Sequence, residues 1–213
     1  MIIELLWENP PLFLVWVLAV VFAITIHEFS HALFGYLLGD KTAKDMGRLT
    51  LNPLAHLDFF GFFLLMIAGF GWGKPVPFNP NNLKNKKWGP GIIAFAGPLS
   101  NLISIIVFGI ALKLVASYSG LAMDNLLVLF LIYLIQINMI LMLFNLLPIP
   151  PLDGSKVMFS FLPRSAINFK IFLERFGPTI ILMLILFDRM ILGYGFFGTV
   201  FSEVYSFILD VIF

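Results

Sequence analysis

Five consecutive residues, His27-Glu28-Phe29-Ser30-His31, bring two imidazoles and a carboxylate together at the end of a run that carries no charge from Asn9 to Ile26. On an α-helix residues four apart share a face, so His27 and His31 can aim ring nitrogens at one metal ion, while Glu28, one step round, reaches a water at that ion. The chemistry this pattern serves is metal-assisted hydrolysis, with Glu28 as general base toward the water and then as acid toward the leaving amine. Such a pentapeptide also occurs by chance on solvated helix faces. A helix continuous with an uncharged apolar run has no solvated face at that depth, and ionisable groups inside a membrane span are costly enough to point to function.

The surrounding composition agrees with that depth. Of 213 residues, 60% are hydrophobic and 12% charged, and the mean hydropathy is +0.99, far from soluble globular values. The expected fold class is therefore all-α, a polytopic membrane helical bundle, in one integral membrane domain over 1–213. A net charge of +1 without a basic run argues against a nucleic-acid partner. With no cysteine in the chain, thiolate ligands are excluded, and a metal must be held by His, Asp or Glu; Zn2+ is the expected ion.

Three spans are expected to position the site. Pro10 and Pro11 suit a helix start and Gly39-Asp40 its end, giving a helix over about 10–38. Glu4 and Glu8 stand where a signal peptide would be basic, so this run is expected to be a true span. The basic stretch 41–58 is then cytoplasmic and the N-terminus outside, which puts the His27 site toward the cytoplasmic face. The apolar run 59–70 is too short to cross a bilayer and rich in glycine; with the proline-broken 72–80 it reads as a re-entrant, β-like loop returning to the side marked by Lys84, Lys86 and Lys87. Spans follow over about 91–116, with small residues Ala94, Ala96, Gly97 and Ser100 for close helix approach, and over 126–147, with Gln136, Asn138 and Asn145. These make a catalytic core of about 10–160, followed by accessory segments over 165–213 that add one or two spans. The run 190–213 places Glu203 and Asp210 seven apart on one helical face, as a fifth span or as an interfacial amphipathic helix.

A catalytic zinc takes three protein ligands and leaves a place for water. Intramembrane carboxylates are few, and Asp153, just after the broken Pro148-Ile149-Pro150-Pro151, emerges on the correct side to be the third; its other reading is an N-cap for the helix that follows. Asn145 either caps backbone freed by the prolines or contacts substrate. His56 reads as a polar loop histidine, with oxyanion or substrate contact as the alternative. Gly73 to Pro80, including Val76, offers an extended edge to which a substrate strand can pair, or else is a plain interfacial loop.

Together, His27-Glu28-Phe29-Ser30-His31, Ala96-Gly97-Pro98-Leu99-Ser100-Asn101 and the run Asn145 to Gly154 with its Pro148, Pro150 and Asp153 resemble the motif set of the site-2 proteases, the intramembrane zinc metalloproteases. Residues 73–77 are similar to that family's re-entrant loop. The resemblance implies His27, His31 and Asp153 as zinc ligands and Glu28 as the catalytic group. It further implies proteolysis of single-pass transmembrane substrates in a multi-pass cell-membrane enzyme of the minimal prokaryotic type, without PDZ or CBS modules. From the residues alone two other classes stay open, a membrane metal transporter and a non-catalytic scaffold for transmembrane helices, and oligomeric state is not legible.

Overall fold

The computed structural model describes residues 2–191 and 195–213. Helix α1 spans Pro10–Leu37: the Asn9 side chain accepts from the Leu12 N–H (3.1 Å), Pro10 and Pro11 occupy positions where an N–H would be unpaired, and the helix stops just before Gly39 at φ 105°. A short helix, α2, covers Phe59–Ala68, with Asp58 capping its start by accepting from the Gly61 N–H at 2.8 Å. Helices α3 (Gly89–Tyr118) and α4 (Leu126–Asn145) follow. Then come α5 (Asp153–Phe161), α6 (Ile167–Ile191) and α7 (Phe196–Ile212).

Helices α1, α3 and α4 are the three, among the described residues, long and apolar enough to cross a membrane. They pack mutually, with α3 against both others and α5 against α3. Away from the histidines the contact is filled by Ile105, Leu112, Val128, Leu131, Ile135 and Met139. No fourth helix among the described residues combines that length with that apolarity; α6 carries Lys170, Glu174, Arg175 and Asp188. Within the expected 190–213 run, residues 192–194 lie outside the described residues. The rest forms α7, whose Phe201, Val204, Tyr205, Ile208 and Ile212 cover the core of α3 and α4, leaving Glu203 and Asp210 exposed on the far side.

The expected β-like loop is a different object. Residues 59–68 are helical, because a short apolar segment satisfies its own backbone most simply as a helix. The chain then turns at Gly69 (φ 72°) and runs back along α2, where Gly61 sits against the Trp72 carbonyl so closely that a Cβ on Gly61 could not fit. The excursion closes on itself: Leu57 and Gly73 form a single antiparallel bridge, and the Lys74 N–H donates to the His56 carbonyl at 2.8 Å. No strand is present among the described residues.

Candidate metal centre

Helix α1 buries the face that carries Ala23, His27 and His31, and Asp153 begins α5 opposite it. The three side chains converge: His31 Nε2 lies 3.0 Å from His27 Nε2 and 3.1 Å from Asp153 Oδ2, which is 3.2 Å from His27 Nε2. All three residues are buried, at 5, 7 and 6% exposure in the order His27, His31, Asp153. Leu152 takes the N-cap position of α5, and the Asp153 carboxylate is directed at the imidazoles rather than at the helix end.

Hydrogen bonds behind the rings fix which nitrogens face inward. His31 Nδ1–H donates to the Ile93 carbonyl (2.7 Å), an acceptor only, which leaves His31 Nε2 with its lone pair forward. For His27 the argument runs through two amides. The Leu134 carbonyl can only accept, so Asn138 presents its NH2 there (2.7 Å) and its oxygen to Asn101 Nδ2 (2.8 Å); Asn101 then presents its own oxygen to His27 Nδ1–H at 2.6 Å. With both rings neutral, two imidazole lone pairs and a carboxylate oxygen meet within about 3 Å, a donor set suited to a cation between them. A tetrahedral zinc with bonds of about 2.1 Å would set its ligand atoms about 3.4 Å apart, close to the separations here, so the residues fit that ion. Outward N–H bonds of this kind are what orient metal-ligating histidines.

Gly97 of α3 makes the room. A Cβ there would lie 2.6 Å from Cε1 of both His27 and His31, so only glycine lets α3 pass this close to the rings. Asn101 and Asn138, both fully buried, were not assigned a role from the sequence; the signal that marks them is the cost of placing two amides in apolar helices without partners.

A cavity of about 730 Å³ opens beside these three side chains. Glu28, Asn145, Gly73, Val76 and Lys156 all line it, as do Phe62 of α2 and Ile181 of α6. Glu28 lies close to Gly73: a Cβ on that glycine would stand 3.5 Å from Glu28 Oε1. Asn145 Nδ2 donates to the Leu141 carbonyl (3.0 Å) one turn back, and Lys156 Nζ stands 3.7 Å from Asp153 Oδ1. His56 is not among the lining residues. It is fully buried in the loop before α2, and its Nε2 donates to the Thr50 carbonyl at 2.7 Å. Arg48, also buried, reaches the backbone beside the cavity; burial pushes its guanidinium below the ordinary value while the Glu28 carboxylate acts the other way.

The model of the family described as "Peptidase family M50" matches residues 111–187, a segment that includes Asp153. The chain is 40% identical over 155 residues to "Putative zinc metalloprotease YwhC" of Bacillus subtilis (strain 168), covering 69% of this chain and 68% of YwhC. This chain belongs to peptidase family M50, the site-2 protease family of zinc metalloproteases. It is also 29% identical over 144 residues to "Putative zinc metalloprotease Rip2" of Mycolicibacterium smegmatis, where the match covers 62% of this chain and about half, 51%, of Rip2. No solved structure matches it. Membership in a peptidase family, together with apolar spans, makes this M50 protein a membrane metalloprotease and leaves the transporter and scaffold readings without support.

Proposed function

We propose that this M50 protein cleaves peptide bonds within the transmembrane helices of single-pass membrane proteins, at a site reached by water from the cytoplasmic side. One observation carries the reading: His27 and His31 of a membrane-length helix meet Asp153 at the start of α5, beside a cavity lined largely by apolar side chains and shared with Glu28. In this reading His27, His31 and Asp153 hold the zinc. When bound, zinc supplies Lewis acidity, making water a better nucleophile and polarising a carbonyl. Glu28 takes the proton from the attacking water and returns it to the amine that leaves. The apolar walls restrict bulk water, which strengthens every charge interaction within the site.

A peptide bond in a helix is shielded by its own hydrogen bonds, so the substrate must unwind before it reaches the metal, and its freed backbone then needs partners. Val76, on the cavity wall, has an N–H and a C=O that bond to no described residue, and it offers the edge to which an unwound strand adds. Asn145 and Gly73 line the same wall and contact the bound segment. The topology that goes with this has the N-terminus outside, 41–58 and 84–87 cytoplasmic, and 59–73 dipping into the membrane and returning.

The test uses purified protein in lipid nanodiscs with a single-pass substrate. Wild type is expected to carry about one zinc per chain, and Glu28→Gln to keep that zinc while losing cleavage by a factor on the order of 10²–10⁴. Glu28→Gln that still cleaves at the wild-type rate would sink the assignment. In cells, maleimide should label Asn82→Cys only after it is given access to the cytoplasmic side; the chain has no other cysteine to confuse the result.

A further inference from the structure

Residues 74–82 form a strap whose Pro75, Val76 and Phe78 line the cavity, and two buried side chains from one neighbouring loop hold its two ends. At the first end, Arg48 of the loop after α1 donates from Nη1 to the Pro75 carbonyl (2.9 Å) and from Nη2 to the Lys74 carbonyl (2.5 Å). The planar guanidinium suits two adjacent carbonyls, a fork that an ammonium group cannot reproduce. At the other end stands Asp40, at 1% exposure. Its Oδ2 accepts from the Asn79 N–H (2.6 Å), and its Oδ1 from Asn82 Nδ2 (3.0 Å), with Thr42 N–H (3.1 Å) and Oγ1 (2.6 Å) completing that oxygen's set. The Lys84 N–H adds a bond to the Leu38 carbonyl at 3.0 Å, where α1 ends.

Between these two pins the strap has little else. Pro75 and Pro77 have no N–H to give, and Val76 bonds to no described residue, yet Pro75, Val76 and Phe78 all line the cavity. Such a segment has no ladder of its own to fix it. Burying a carboxylate and a guanidinium under a loop is costly unless they are paired; here Asp40 accepts two bonds from the strap besides those from Thr42, and Arg48 gives both terminal nitrogens to the strap while its Nε has no partner.

We propose that Asp40 and Arg48 are positioning residues for proteolysis: by pinning the strap on either side of Val76 they set the edge that receives the unwound substrate. This inference rests on the reading of Val76 as that edge. Neither residue touches the reacting atoms; each acts through backbone placement, where a displacement of about 1 Å can cost on the order of 10²-fold in rate.

Arg48→Lys, Asp40→Asn, Asn82→Ala and Val76→Pro are compared in nanodiscs with a single-pass substrate, reading KM, kcat and zinc content. Arg48→Lys retains the charge but loses the fork, and Asn82→Ala removes one bond to Asp40 while leaving the carboxylate buried and paired, so it stays informative where Asp40→Asn fails to fold. The expected result is about one zinc per chain in every variant, KM raised roughly tenfold in Arg48→Lys and severalfold in Asn82→Ala, and kcat changed less than KM. Raised KM in Val76→Pro with wild-type KM in both Arg48→Lys and Asn82→Ala overturns the pins and leaves the edge standing. Wild-type KM in Val76→Pro overturns the edge itself. Zinc lost together with activity in Arg48→Lys and Asn82→Ala shows that these bonds merely hold the fold, which also overturns the proposal.

Discussion

The block of α1, α3 and α4 and the wall formed by α2 with the strap are built on opposite principles. In the block, α3 alone buries thirteen side chains or glycines along its 30 residues, and the outward nitrogens of His27 and His31 and the amides of Asn101 and Asn138 all have partners. In the wall, α2 buries only Gly61 and Met66, while Phe59 and Phe60 are 77% and 72% exposed, and the backbone is held by a single bridge and two buried polar pins. Metal ligands must stay within a fraction of an ångström of their geometry, and dense packing with complete hydrogen bonding supplies that. On the proposed reading the wall admits a substrate helix and has to open at low cost, and few buried contacts make local opening cheap. On that reading the division separates the chemistry from the entry.

The sharpest way to break the comparison is inside the block. Gly97→Ala is expected to abolish stoichiometric zinc, because its Cβ falls 2.6 Å from both histidine rings and α3 must move away or displace them; metal analysis of the purified variant reads this directly. Wild-type zinc in Gly97→Ala would mean the block is softer than described. Next in size is Asn101→Ala, which frees the Nδ1 side of His27 and lets the ring take either tautomer. Zinc affinity by competition with a chelator should fall about 10–100-fold. Asn138→Ala should act in the same direction with a smaller effect, since it touches His27 only through Asn101.

A pH experiment addresses the pins of the wall. Burial acts to raise the Asp40 carboxyl, but the bonds from Thr42, from Asn82 and from the Asn79 amide outweigh it and hold the group below the usual carboxylate range. A carboxylate with a lowered folded value adds stability above its unfolded value, and that stability is lost as pH falls through the folded value. The gap in Tm between wild type and Asp40→Asn should therefore be full at pH 7 and narrow only below about pH 4. A gap that is the same at both ends would show that the charge on Asp40 does not hold the strap. The smallest effect is expected for Phe60→Ala on α2: an exposed side chain on a lightly packed wall should change neither zinc content nor Tm by more than a few degrees.

Much of the block was legible before any coordinates. The spacing of His27 and His31 is a local helical property, and the ends of α1 are marked by Asn9, Pro10 and Gly39, so both follow from short-range rules. Asp153 was reachable by elimination, because an apolar chain offers few carboxylates at that depth. The wall was less legible. Its glycines argued against a plain spanning helix, yet they serve close packing of a short helix against its own return segment, as at Gly61, which composition cannot distinguish from a turn. For the last segment the sequence left a span and an interfacial helix both open, and what it did not show is that α7 lays Phe201, Val204 and Ile208 on α3 and α4.

By itself, the sequence determined the class of site, the three spans and the side chains able to hold a metal, since helical periodicity and the cost of charge in lipid act over a few residues. Only the tertiary structure decided which groups stand behind those side chains. Asn101 meets His27 across 74 positions, Asn138 meets Asn101 across 37, and Arg48 meets Lys74 across 26. Hydrogen bonds between residues so far apart leave no periodic trace along the chain; each exists because packing brings two helices or two loops to one place, and an amide or a guanidinium buried there must find a partner.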